Sequence, residues 1–563
     1  MKIPTEPVAR KAFYSEVLYQ CLATRNDRWA LYRQLRNYYL FGTKDASGCM
    51  YNKIAAAVDT LWSFLYSSDT SKFAIHLGTS ANEGDLMKVP ALRAEINDQW
   101  RASGTSLIFS VGGKYSLVYG AMLFKTLWHQ GKAKSFVVEP HQFGVYREDV
   151  MDIDDQEAFV HCYQITKTQL ANMLEGNPRA SSILSRVGSP VSDDSEPTGG
   201  EPNGLQRIIL SSGVNTGVGP ANGGGVVEGG LGNSAAGGYD YTPNVEAEMV
   251  EMHELMIWND EINDYQIVTI AAPDIIVFDR ANFYVDKTHP YSIVRPEHDV
   301  YDYFWGVSFL ARLTGLQDWR VERIEQIRSL LSKQVDPPYA ISGMSGIAEE
   351  KMQAIRRAGG QISSNQPTLK VENLAPALPS GVFTEIQEID AMFADAAGMG
   401  PLLQGESPGS VRSKGQADMM ARLGSSRVKQ KALVVEEAAA RVATLMLKNV
   451  QEYSKQRFQS KEADPSTKGP LTFIAEQFTS DFEVRVDSHS SSPVFVEDQK
   501  QTAVALLKVG AIDQSTLLDM FDPPNLQELQ AKLVLIQKKQ AEEAKITMGL
   551  EEKIKRFAPA PRG

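Results

Sequence analysis

The sequence has few cysteines, no long apolar run and no excess of basic residues, and each shortage excludes a class of protein. Its three cysteines, Cys21, Cys49 and Cys162, are too few and too scattered for a disulfide scaffold or a four-ligand zinc site. No apolar run reaches the roughly 18 residues that cross a bilayer, and residues 1–7 lack the apolar segment of a secretory signal. We therefore expect a soluble protein made in the cytoplasm, with reduced thiols and no membrane partner.

The charge balance is acidic. The 563 residues include 57 Lys+Arg and 69 Asp+Glu, which gives a formal net charge of −12. Proteins that read DNA sequence hold the phosphates with Lys and Arg, so this balance argues against such a role. It does not exclude a protein that contacts DNA without binding it tightly. The length predicts about three or four domains of ordinary size.

Common catalytic patterns are absent or incomplete. No phosphate loop with its lysine occurs, which argues against an ATP-driven enzyme. The segment from His253 begins like a zinc-protease helix, but Ile257 stands where the second histidine is required. Ile347 likewise replaces the last glycine of a nucleophile elbow. Asp152, Asp154 and Asp155 either hold a cation or form a solvated acidic turn. We predict no enzymatic activity, cofactor or metal.

Hydrophobic periodicity predicts an α+β protein in which helix is in excess. Helices are expected over residues 52–66, 107–121, 306–333, 348–358, 382–397, 413–458 and 497–557, the last broken at 522–524. Strands are expected over residues 135–145, 250–258, 265–270, 275–278, 339–342, 369–374 and 482–487. Gly424-Ser425-Ser426 predicts a kink in the helix 413–458.

Residues 188–238 differ in kind, because they hold 15 of the 43 glycines. Such a segment buries too little apolar surface to offset its ordering entropy, so it is predicted to be a flexible insertion or surface loop.

The order of the segments resembles the portal proteins, or head-to-tail connectors, of tailed bacteriophages. The resemblance covers roughly residues 52–522 without the glycine-rich insertion, and its specific signal is the order of motifs that are weak one by one. These motifs are Asn52-Lys53-Ile54 with Val58 and Leu61-Trp62, Phe73-Ala74-Ile75, Gly120–Lys125 with Phe136–Pro140, Tyr265-Gln266-Ile267, His289-Pro290-Tyr291, and Trp305–Ser308 leading to Gln317.

The resemblance implies a portal-like, ring-forming fold with a helical stem. In that plan the chain divides into wing (1–185), glycine-rich insertion (186–245), β-rich wing (246–300), first stem helix (301–335), α/β clip (336–380), second stem helix (381–397), tunnel loop (398–412), long kinked helix and wing strand (413–496), and crown with C-terminal tail (497–563).

The implied function is a structural channel at one capsid vertex of the virion, assembled in the host cytoplasm. Usually twelve copies form the ring, and double-stranded DNA passes through it without sequence-specific binding during packaging and ejection. The implied partners are the packaging terminase, the major capsid protein and a tail adaptor. Alternatives are another viral head or tail structural protein, such as a connector or scaffold, and a DNA-processing enzyme.

The residues supply a physical reason for such a channel. Residues 382–397 contain four acids and no Lys or Arg, and ring symmetry would stack them into bands that repel phosphates. Candidate lining residues are Glu385, Glu388 and Asp395, with Arg412 and Lys414 touching the backbone transiently. A solvated acidic helix face, and a helix start with stray cations, remain the alternatives. Apolar residues on several faces of helices 306–333 and 413–458 fit either subunit contacts or one large core.

Overall fold

The computed structural model describes residues 1–44, 51–66, 73–78, 83–187, 249–271, 274–298, 303–335, 339–342, 370–373, 381–398, 414–463, 470–478, 480, 482–486 and 506–509, with single positions at 517 and 532. Within these ranges helices and strands are mixed, so the α+β class is confirmed. Of the predicted segments, the helix 348–358 and the glycine-rich segment 188–238 lie wholly outside the described residues, as do all but the first residue of the loop 398–412 and most of 497–557.

The helices are α1 (Pro7–Asp27), α2 (Trp29–Phe41), α3 (Lys53–Leu65), α4 (Glu83–Leu86), α5 (Val89–Ala102), α6 (Thr105–Tyr119), α7 (Lys167–Met173), α8 (Ala180–Arg186), α9 (Thr314–Val335), α10 (Val382–Ala396) and α11 (Lys414–Tyr453). The strands are β1 (Phe73–Leu77), β2 (Met122–His129), β3 (Lys132–Val138), β4 (Phe143–Val145), β5 (Ala158–Thr166), β6 (Met249–Asn259), β7 (Asp264–Ala271), β8 (Ile275–Ala281), β9 (Tyr291–Val294), β10 (Tyr339–Ser342), β11 (Lys370–Asn373), β12 (Arg457–Ala463), β13 (Pro470–Ile474) and β14 (Phe482–Val486).

The largest sheet is antiparallel, with strand order β4-β5-β6-β7-β8. Successive side chains of each strand point to opposite faces of this sheet. Tyr265 and Ile267 pack with the three-stranded sheet β3-β2-β9, whereas Val268 and Ile270 pack against α1. Since both faces are covered, β7 is buried along its whole length.

A second core surrounds the C-terminal half of α11. From Val428 to Val450 this helix buries apolar side chains against α3, α5, β14 and the three-stranded sheet. Val435, Val442, Leu445 and Met446 are therefore buried within their own chain, and Leu433 stays 47% exposed. For this half of the helix, a large core accounts for the apolar stripes without neighbouring subunits.

Several predicted elements are confirmed. The helix 52–66 appears as α3, and Asn52 caps it by accepting a hydrogen bond from the Ala55 N–H at 3.1 Å. The strands at 250–258, 265–270 and 275–278 correspond to β6, β7 and β8, and the helix at 382–397 corresponds to α10. The alternating segment at 482–487 forms β14, in which Val484 is buried and Glu483 and Arg485 are exposed.

The predicted start of the helix 306–333 is wrong, because α9 begins only at Thr314. Backbone groups in residues 307–309 bond to distant partners instead of to a helix. Val307 donates to the Glu297 carbonyl, and Phe309 donates to the Leu117 carbonyl. Two of the apolar side chains that suggest helix periodicity, Phe309 and Leu313, are buried in the core before the helix begins.

Two further predictions are wrong in their extent. The strand 135–145 is interrupted, because a short 3-10 turn at Pro140–Gln142 carries the chain from β3 in one sheet to β4 in another. The helix 413–458 ends at Tyr453, because Phe458 pairs opposite Phe473 in the β12–β13 hairpin. The helix is continuous through Gly424.

Candidate functional site

The α9 and α10 helices form an antiparallel pair. Arg320 Nε lies 2.8 Å from Asp390 Oδ1, and Arg323 Nε lies 2.8 Å from Glu385 Oε1. The residue number rises along α9 as it falls along α10, so the two helices run in opposite directions. Between them in sequence, β10 and β11 form a two-stranded antiparallel sheet. The expected helix, small insert and returning helix are therefore present in the described residues.

The helical repeat divides α10 into an inner and an outer face. Ile389, Phe393 and Ala397 are buried at spacings of four residues. Thr384, Glu388, Ala391 and Asp395 are exposed on the opposite side. Glu388 and Asp395 are seven residues apart, which is about two helical turns, so they share the outer face.

Acidic and basic groups of the pair are segregated. The two arginines of α9 that face α10 are paired with Asp390 and Glu385. Within the described part of the chain, no Lys or Arg pairs with Glu388 or Asp395. As far as the described residues go, the outer face of α10 is therefore acidic without paired cations, whereas the exposed residues of α9 are mixed in sign and include Glu322, Glu325, Arg328 and Lys333.

Asp390 has the best-connected carboxylate of this pair. Burial opposes its ionisation, but hydrogen bonds from Lys53 and Arg320 hold the pKa of Asp390 below its ordinary value. Lys53 Nζ lies 2.7 Å from the same oxygen that contacts Arg320. Asp390 was not among the predicted site residues. The spacing of Arg320 and Arg323 by three residues was a signal for cations facing the returning helix.

The predicted lining residues fall into three groups. Glu388 and Asp395 lie together on the outer face of α10. Glu385 is half-buried and turned towards Arg323. Arg412 lies outside the described residues, and Lys414 is the first residue of α11, with a side chain that is likewise not described. Their role as a channel lining stays a prediction.

Cys162, Glu251 and His253 bring three metal-ligand atoms within 4.8 Å of one another. Cys162 and His253 lie opposite each other on β5 and β6. The buried Arg25 lies beside them, with Nη1 4.0 Å from Glu251 Oε1, and so already supplies a positive charge. Burial raises the pKa of Cys162 to about 11 although Arg25 acts in the opposite direction, so the thiol stays protonated. We interpret the cluster as a buried ion pair and not as a cation site.

A second buried polar group joins the two larger sheets. Lys125 Nζ on β2 lies 2.8 Å from both carboxylate oxygens of Glu254 on β6. Tyr284 donates a hydrogen bond of 2.6 Å to Glu254 Oε1, and Tyr291 donates a longer one. Lys125 and Glu254 are buried and neutralise each other. The pair therefore fixes the relative position of the two sheets and presents no reactive surface.

No family model matches the chain, and no curated protein matches it. Among solved structures, it is similar to a chain from the virion of a native gene transfer agent (GTA) particle, at 10% identity and a TM-score of 0.39, over 83% of this chain and 89% of that one. It is also similar to a chain from the neck of an empty GTA particle, at 9% identity and a TM-score of 0.39, over 82% and 89% of the two chains. At these values the similarity assigns no family.

None of the described helices combines the length and the apolar character that a membrane span needs.

Proposed function

We propose that this chain is the portal protein of a tailed bacteriophage, a structural ring at one capsid vertex through which double-stranded DNA is packaged and ejected. The observation that carries the proposal is the outer face of α10. This helix turns its paired acids towards α9 and Lys53, and leaves Glu388 and Asp395 exposed, with no ion-pair partner among the residues that the structure describes.

In a ring, each subunit would contribute one copy of this face. Equivalent carboxylates would then form acidic bands around a common axis, and the bands would repel DNA phosphates from every side. Repulsion of this kind keeps a duplex central and lets it slide, whereas a basic lining would retain it. An acidic protein with a net charge of −12 suits passage better than binding.

The helix pair with its small sheet gives the second support. In the proposed ring, α9 and α10 form the stem, and the β10–β11 sheet belongs to the clip that meets the packaging terminase and later a tail adaptor. The wing is formed by the first part of the chain and by β14, which pairs with β1. The major capsid protein is the expected contact of the ring in the virion. The role is structural and requires no enzymatic activity.

Electron microscopy of the purified full-length protein tests the proposal. We expect rings of about twelve subunits with a central aperture that admits a B-form duplex, and with α10 facing the aperture. A ring whose aperture is lined by other elements would indicate a different head or tail component. A single compact particle without an aperture would contradict the proposal, and ATP turnover by that particle would favour a DNA-processing enzyme.

A further inference from the structure

Asp390 contacts two cations that belong to different parts of the fold. Lys53 begins α3, and its Nζ lies 2.7 Å from Asp390 Oδ1. Arg320 belongs to α9, and its Nε lies 2.8 Å from the same oxygen. One carboxylate therefore connects α10 to its partner helix and to α3.

The two cations are themselves held in place. Asn52 caps α3 and donates hydrogen bonds to the carbonyls of Tyr38 and Tyr39 at the end of α2. Gln317 of α9 donates to the Tyr51 carbonyl at 3.1 Å, and the guanidinium of Arg320 lies over the Tyr51 ring. Lys53 thus extends from a fixed backbone, and its contact with Asp390 restrains α10 relative to α3.

Arg320 depends on this contact more than an exposed cation would. Its side chain is 9% exposed, and its Nη1 is buried without a hydrogen-bond partner among the described residues. Loss of Asp390 would leave a buried guanidinium without its counter-ion, which is costly. The neighbouring Arg323–Glu385 pair is more exposed on both sides and is expected to contribute less.

We infer that Asp390 is a positioning residue that fixes the rotation of α10 about its axis and thereby directs Glu388 and Asp395 away from the subunit. The importance of this orientation rests on the proposed function of the α10 face. The restraint itself follows from the contacts of Asp390 with α3 and α9.

The substitution Asp390→Asn in the full-length chain tests the inference. Ile386 is partly covered on α10, so the reaction rate of a thiol at Ile386→Cys reports how far the helix turns. Leu316→Cys, at a partly covered position of α9, reports whether the helix pair as a whole becomes looser. Both are made with Cys49→Ser, because Cys21 and Cys162 are buried. We expect Asp390→Asn to raise the rate at Ile386→Cys roughly tenfold and to leave Leu316→Cys nearly unchanged.

Two variants complete the design. Glu322→Gln removes a carboxylate that accepts a hydrogen bond from Gln326 of the same helix, so it should change the reaction rate at neither cysteine. Lys53→Met removes one of the two cations, whose side chain is 36% exposed, and should give a smaller increase at Ile386→Cys even if Asp390→Asn fails to fold.

Equal rates at Ile386→Cys in the parent, Asp390→Asn and Lys53→Met proteins would overturn the inference, and so would a parallel rise at Leu316→Cys. Neither result depends on whether rings form. A selective rise at Ile386→Cys in a protein that forms no ring would keep Asp390 as a positioning residue while the proposed function fails.

Discussion

At the residue scale, burial decides which ionisable groups are charged. Glu139 and His141 lie beside each other, with 3.2 Å between Glu139 Oε2 and His141 Nδ1. Burial, assisted by Arg25 and Arg36, lowers the pKa of His141 to about 3, so the imidazole is neutral. Burial raises the pKa of Glu139 from 4.5 to about 7, although Arg36 and Tyr119 oppose the shift.

This shift predicts a pH dependence of stability. From pH 4.5 to about 7 the unfolded state loses the proton of Glu139 while the folded state keeps it, so the contribution of this residue falls as pH rises. The fall is about 1.4 kcal/mol per pH unit in that range. Glu139→Gln cannot ionise, and we expect it to gain stability relative to the parent as pH rises.

Chemical denaturation at several pH values measures this difference. Glu175→Gln is the matched control, because Glu175 is an exposed carboxylate outside the cluster. If the parent and Glu139→Gln keep a constant difference in unfolding free energy across this pH range, Glu139 does not titrate as described.

At the element scale, a close contact between two glycines holds the segment that precedes α9 against the end of α6. Gly120 ends α6 with a φ of 91°, and a Cβ there would collide with the Gly306 carbonyl. The segment after Gly306 is bonded to Glu297 and to the end of α6. Periodicity alone predicted helix from residue 306, since the buried residues of this segment have helix-like spacing.

Gly120→Ala is expected to lower the free energy of unfolding by about 2–5 kcal/mol, from left-handed backbone strain together with the collision. Gly131→Ala provides the control, because Gly131 also has a positive φ (78°) but has open space around it. We expect a loss of only about 1 kcal/mol there. Equal losses for both variants in thermal or chemical unfolding would show that the contact with Gly306 adds nothing.

At the scale of the whole molecule, the positions of the charged residues say more about contact with DNA than the net charge does. The net charge of −12 argued only against tight binding of phosphates. The helix pair shows where unpaired acidic groups lie: among the described residues, the acids of α10 that face α9 are paired, and those on its outer face are not.

Charge reversal at Glu388 tests whether the outer face of α10 meets DNA. Glu388→Lys places a cation on the outer face of α10 in every subunit, and we expect assembled rings to retain duplex DNA more tightly and to release it more slowly. The logarithm of affinity should fall more steeply with salt, by up to about 0.9 for each added phosphate contact.

Glu322→Lys makes the same charge change on the exposed side of α9 and should bind DNA as the parent does. Binding of linear duplex DNA over a series of salt concentrations measures both effects. Identical salt dependence for Glu388→Lys and the parent would remove α10 from the channel lining.

The sequence by itself determined the α+β class, the presence of α3, α10 and β6–β8, and the helix–insert–helix order, because these depend on local periodicity. The tertiary structure decided where α9 begins, where the chain changes sheets after β3, and where α11 ends, ahead of the β12–β13 hairpin. It also decided which acids of α10 are neutralised, because Arg320 lies 70 residues from Asp390 in sequence. Such pairings depend on how helices lie against each other, and no local pattern encodes that.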